Sequence, residues 1–180
     1  MELVVIGGII GVLTLWGITV QRELVHREEL CTNALSQIGV QLSNRWNLIT
    51  ALARMVKQYA EYEYQTLTNV IGMRRDLDAG VSVRDIEEQE NLLGRLVGDI
   101  RVVSEQYPML KADHVYIETM STMREFEENV RLSRMVYNDS VTRFNRFVRQ
   151  IPNNFVAGMF GVHIYEYLRD DMKKQDFPQV

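Results

Sequence analysis

Residues 3–20 read LVVIGGIIGVLTLWGITV, eighteen positions without a charged side chain, about 27 Å as a helix against a hydrocarbon core of about 30 Å. A cleaved signal peptide needs a basic leader and a small-x-small cleavage site. Here Glu2 precedes the run, and Gln21, Arg22 and Glu23 follow it. A core helix of a soluble domain would carry a polar face, which this stretch lacks. Residues 1–21 are therefore expected to remain as one transmembrane anchor. Arg22 and Arg27 lie just beyond the span and no Lys or Arg lies before it, so the basic-residue rule places the rest of the chain in the cytoplasm, as a single-pass protein of the cell membrane. Gly7 and Gly11 form a G-x-x-x-G step that allows two spans to pack closely, which points to a homo-oligomer.

The body that follows reads as all-α. The 180 residues hold three prolines and eleven glycines, and Leu, Met, Glu, Arg and Val suit long helices better than strands. Ala34, Ile38, Leu42, Ile49, Leu52, Val56, Tyr59, Leu67 and Val70 keep one apolar stripe. The polar run Ser43, Asn44, Arg45 is a possible turn within it, and otherwise the helix is continuous to Asp76. Residues 76–85 (DLDAGVSVRD) break the pattern at Gly80, with Asp85 placed to cap a new helix. That helix carries Leu93, Leu96, Ile100 and Val103 and ends before Pro108. A last helix over about 112–150 buries Met123, Phe126, Val130, Tyr137, Val141, Phe144 and Val148, and Pro152 closes it. Such helices bury their stripes against one another, so the expected body is an antiparallel up-and-down bundle of four helices, or three if the first is continuous. The expected division is 1–21 anchor, 22–152 bundle, and 153–180 C-terminal amphipathic segment and tail.

Three stretches together resemble the LemA family of bacterial membrane-anchored helical proteins. The first is QIGVQL at residues 37–42, including Gln41, with NLI at 47–49 and VKQYA at 56–60. The second is YPMLKA at 107–112, containing Tyr107 and Pro108. The third, YNDSV at 137–141, carries Tyr137 and Asn138; Asn145 follows, and then IPNNFVAGMFG at 151–161 with Pro152, Gly158 and Phe160. The resemblance runs from the anchor to about Tyr167 and implies a helical bundle behind one N-terminal span. It implies no agreed reaction. Two departures stand out: Gly39 replaces the usual acidic residue, and Thr50 the usual proline.

Enzyme-like patterns are weak. His26 with Glu29 and His163 with Glu166 share helical faces, but in the order opposite to the Glu-x-x-His of carboxylate-bridged metal bundles. His114 beside Asp113 is not a dyad, because adjacent helix positions diverge. Cys31, the sole cysteine, excludes an internal disulfide and has no base arranged near it. Neither nucleotide glycine fingerprint occurs, so no cofactor is expected. The net charge of -4 argues against nucleic acid as a partner. Asn138 and Asn145, at the border of the apolar face, suit hydrogen bonds between helices or surface capping. Arg131, Arg134, Arg146 and Arg149 share a face opposite the apolar stripe. The apolar segment 155–162 (FVAGMFGV) follows, so Arg146, Arg149, Phe155, Met159 and Phe160 are candidates for lipid or partner contact. The expected function is a non-enzymatic membrane-anchored scaffold or interaction protein, self-assembling, bound to an unidentified protein partner and organising a membrane region. An accessory subunit of an envelope-stress or membrane-proteolysis system, and a metal-dependent bundle enzyme, are the alternatives.

Overall fold

The computed structural model describes residues 1–77 and 81–169; Gly80 and the tail at 170–180 lie outside the described residues. All regular structure among the described residues is helical. The order is α1 (Glu2–Tyr59), α2 (Glu61–Ile71), α3 (Val83–Gln106), α4 (Pro108–Lys111), α5 (His114–Arg149) and α6 (Asn153–Met159). The chain divides into two compact units, one of Met1–Ala34 with Val136–Val180, the other Leu35–Met135.

In the Leu35–Met135 unit, α1 buries Ile38, Leu42, Trp46, Ile49, Leu52 and Val56, and α3 buries Leu93, Leu96, Ile100 and Val103, as their spacing requires. The proposed turn at Ser43, Asn44 and Arg45 is not there, because α1 runs through it unbroken. Those residues are polar for another reason. Arg45 is buried with Glu127 and Glu90 as its charged neighbours, and burial pulls its pKa below the usual guanidinium value against their opposing pull. Ser43 and Asn47 accept hydrogen bonds from the Arg74 guanidinium at 3.0 and 2.9 Å.

Nor is the first helix continuous to Asp76. It stops at Ala60, whose backbone (φ -149°, ψ 77°) leaves the helical region. Alanine is a strong helix former, so the break owes nothing to local propensity. Side chains from distant segments hold it: the Tyr59 hydroxyl donates to Asp113 at 3.2 Å, and the Tyr107 hydroxyl to Glu63 at 3.1 Å. Thr50 sits mid-helix with its hydroxyl donating to the Trp46 carbonyl, and α1 continues unbroken through it. Gly39 is explained by close approach. A Cβ there would stand 3.0 Å from the Leu77 carbonyl oxygen and 3.3 Å from the Leu77 Cβ.

Two helix starts use short polar side chains. Ser82, not Asp85, caps α3; Asp85 is the third-position partner of a capping box, accepting from the Ser82 N–H at 3.1 Å while the Asp85 N–H donates to the Ser82 hydroxyl. Asp113 opens α5 by accepting from the Val115 N–H at 2.8 Å, with α4 as a single turn begun by Pro108.

Candidate functional site

The unit of Met1–Ala34 and Val136–Val180 contains the apolar run, the second half of α5, α6 and an extended segment at 162–169. Its core is Leu24, Cys31, Tyr137, Val141, Phe144, Val156, Ala157 and Leu168. Cys31 is fully enclosed, and burial, then the Glu28 carboxylate, pushes its thiol up to about 11.

Where α6 ends, the Gly161 N–H bonds to the Gly158 carbonyl at 3.3 Å and the Val162 N–H to the Ala157 carbonyl at 2.9 Å. Gly161 has φ 66°. This is a Schellman stop with glycine in the left-handed position that a Cβ would strain, and it turns the chain out of the helix. The segment beyond is then held against α5 by side chains. Asn145 donates from Nδ2 to the Tyr165 carbonyl and accepts from the Tyr165 N–H on Oδ1, both at 2.9 Å. Asn138 does the same with Leu168, both bonds at 3.0 Å. The Tyr137 hydroxyl donates to the Glu166 carbonyl at 2.9 Å.

The register follows from two rises. Seven helical residues advance about 10.5 Å, and three extended residues advance about 10 Å. Two asparagines seven apart therefore meet backbone groups three apart. Neither asparagine bridges helices or caps the surface; both serve as surrogate edges of a sheet for a strap that has no neighbouring strand among the described residues. Phe144 completes the clamp, edge-on to the Tyr165 ring at 5.2 Å. The Tyr165 hydroxyl donates to Glu28 at 3.4 Å, and burial raises the pKa of the phenol. The Tyr137 phenol is pushed up to about 12, first by burial and then by its neighbours Cys31, Tyr165 and Glu166.

The arginine row is not uniform. Arg134 is mostly enclosed and forms an ion pair with Glu90, and Arg131 pairs with Glu128 one turn away, so neither belongs to a free basic face. Arg146 and Arg149 are exposed and line an open groove of about 360 Å³ with Thr142, Gln150 and Tyr167. Phe155 and Met159 are exposed on α6 opposite the buried Val156 and Ala157, and the exposed Phe160 at its end and Ile151 before it join them. Arg27 packs its guanidinium over the Phe147 ring at 4.7 Å, a cation–π contact that α1 and α5 share in this unit. In the sequence Arg27 bears only on topology and Ile151 only on a family motif; the signal that could have placed Ile151 here was its continuity with the apolar run after it.

Other motif residues have structural roles. Tyr107 and Pro108 form the α3-to-α4 corner, and Gln41 lies half-buried on α1, in the unit of Leu35–Met135. Pro152 precedes the first turn of α6 after a cis Ile151–Pro152 bond, and Gly158 lies in its last turn. No side chain comes within 4 Å of a Cβ placed at Gly7 or Gly11. Among the described residues no three His, Cys, Asp or Glu side chains converge as metal ligands. His114 is exposed beside Glu118 at 3.9 Å.

The fold and this unit define a helical protein with, among the described residues, one helix long and apolar enough to cross a membrane. The chain belongs to the LemA family, whose model matches residues 34–180. It is also similar to two proteins of Paramagnetospirillum magneticum, Magnetosome protein MamQ 1 and Magnetosome protein MamQ 2. Each is 22% identical over 161 residues, covering 75% of this chain and 59% of the relative. The chain thus spans about three fifths of the length of these curated relatives.

Proposed function

We propose that this protein is a membrane-anchored scaffold without enzymatic activity, whose cytoplasmic antiparallel bundle binds partners or further copies of itself and helps organise a membrane region. One observation carries the reading. Along α1 the side chains of Leu3, Val5, Ile9, Leu13 and Leu15 are exposed, whereas Leu24, Cys31, Ile38 and Leu42 of the same helix are buried on one face. A soluble protein does not present such a bare apolar rod to water. Cross-segment bonds support alternating directions: Arg74 with Asn47 and Ser43, Arg75 with Glu88, Tyr107 with Glu63, and Arg27 with Phe147 fit segments that run up, down, up and down. The likeness to two magnetosome proteins supports a membrane-associated role without specifying it.

The test uses native membranes. The full chain, tagged at its C-terminus, should stay in the membrane after carbonate extraction, survive protease added to intact spheroplasts, and crosslink into species larger than one copy. Release by carbonate removes the anchor, digestion of the tag reverses the topology, and a strictly monomeric uncrosslinked protein removes the scaffold.

A further inference from the structure

The part of α1 that is bare on every side is shorter than the bilayer core. Side chains are exposed from residue 2 to residue 15, Trp16 and Gly17 are half-buried, Ile18 and Thr19 are exposed again, and Val20 and Leu24 are buried. Fourteen helical residues cover about 21 Å, against a hydrocarbon core of about 30 Å. With the amino terminus and Glu2 at the far boundary, the near boundary falls around residue 21. One face of α1 is already covered by the rest of its own unit there, so whatever covers it must itself meet lipid.

The contacts in that unit set α5 beside α1. Phe147 stacks under the Arg27 guanidinium, and Tyr165 reaches Glu28. In the opposed arrangement proposed above, α5 continues from Phe147 toward the span, so residue 151 and α6 lie below Arg27, at the depth of Val20 to Leu24. Their outer side chains are the four largest apolar groups of this end: Ile151 is 80% exposed, Phe155 67%, Met159 84% and Phe160 61%. Aromatic side chains alone offer about 150–250 Å² each when bare, so the cluster amounts to a patch of a few hundred Å². Arg146 and Arg149, exposed and preceding Ile151 by about one and a half turns and half a turn, stand at headgroup height.

We infer that the end of α5 and α6 form a collar beside the span, with Ile151, Phe155, Met159 and Phe160 immersed in the lipid boundary and Arg146 and Arg149 over the phosphates. The occupant of this face is the bilayer that already holds α1, because the patch is continuous in depth with the span. This rests on the anchor reading. The collar is what completes the membrane-facing length.

The full chain is reconstituted in vesicles of phosphatidylcholine with a minor fraction of phosphatidylglycerol. Single nitroxide labels are placed at Phe155→Cys, Met159→Cys, Leu13→Cys and Tyr62→Cys; Cys31 is enclosed, and mass spectrometry checks that it stays unlabelled. Collision with dissolved oxygen, which concentrates in hydrocarbon, is compared with collision with a polar nickel chelate. The expected result is an oxygen-to-nickel ratio at Phe155→Cys and Met159→Cys severalfold above Tyr62→Cys and approaching Leu13→Cys. A water-like ratio at both α6 sites, with Leu13→Cys lipid-like, overturns the collar and leaves the anchor standing. Protection from both reagents at the α6 sites assigns that face to protein and equally overturns it. A water-like ratio at Leu13→Cys overturns the anchor and the collar together.

Discussion

Replacing Asn145 by alanine removes two hydrogen bonds to the Tyr165 backbone and nothing else of size, since the α5 helix tolerates alanine well. Each such bond contributes about 1 kcal/mol net, so the strap should lose about 2 kcal/mol at that point. A tenfold change in an equilibrium corresponds to about 1.4 kcal/mol, so local opening at Tyr165 should rise about 30-fold. Hydrogen exchange by mass spectrometry on the detergent-solubilised chain reads this directly, with the Tyr165 amide as reporter. Asn138→Ala should act in the same way at Leu168, whose N–H it holds. Asn145→Asp is the control: it keeps an acceptor for the Tyr165 N–H but loses the donor to the Tyr165 carbonyl, so its effect should be intermediate in amide exchange. Helix content by circular dichroism should be unchanged in all three. If Tyr165 and Leu168 exchange at the parental rate in Asn145→Ala and Asn138→Ala, the asparagines do not hold the strap, and the Tyr137 bond to Glu166 with the packing of Tyr165 and Leu168 must do so.

Three further outcomes follow. Phe144→Ala, at a fully enclosed ring, should cost about 3–5 kcal/mol in urea unfolding, while Arg146→Ala on the exposed face should cost under about 1 kcal/mol; equal losses would mean the faces are misassigned. Arg45→Ala empties the space of a buried side chain and should cost about 2–5 kcal/mol, with Arg45→Met, which keeps most of the packing, losing clearly less; the same unfolding assay compares them. Cys31, with its thiol at about 11 against an ordinary 9.0, should resist alkylation in the folded chain between neutral pH and pH 9 and react promptly in urea. Because the folded chain keeps that proton longer than the unfolded one, the linked stability is fully present below pH 9 and declines as pH rises toward 11, which urea midpoints across that range would show.

Periodicity made the helices legible because a stripe of apolar residues reports directly on which face is buried; Ile38 to Val56, Leu93 to Val103 and Met123 to Val148 fall where their spacing puts them. The reversal was not legible, because polarity has two causes. Arg45 is polar inside a charged layer, whereas Ala60, at the true corner, is apolar, small and carries no turn chemistry. Sequence gives tertiary contacts such as Tyr59 to Asp113 no local signature. The strap was missed for a related reason. Residues 162–169 lack alternation and glycine punctuation, and their conformation is imposed by amides two turns apart on another element. Asn138 and Asn145 could be singled out as polar groups at an apolar border, but what they bind could not be read from one sequence.

The unbroken course of α1 also fixes an azimuth. At 100° per residue, Val20, Leu24 and Cys31 cluster within about 40° of one another around the helix, the side turned to the rest of their unit. Gly7 and Gly11 fall about 140° away from the middle of that arc. With no kink between them to reset the angle, two spans pairing through the glycines would meet back to back. Each copy's α6 would then lie on the outer flank of the pair, so that dimerisation and lipid contact use opposite sides of one helix and do not compete.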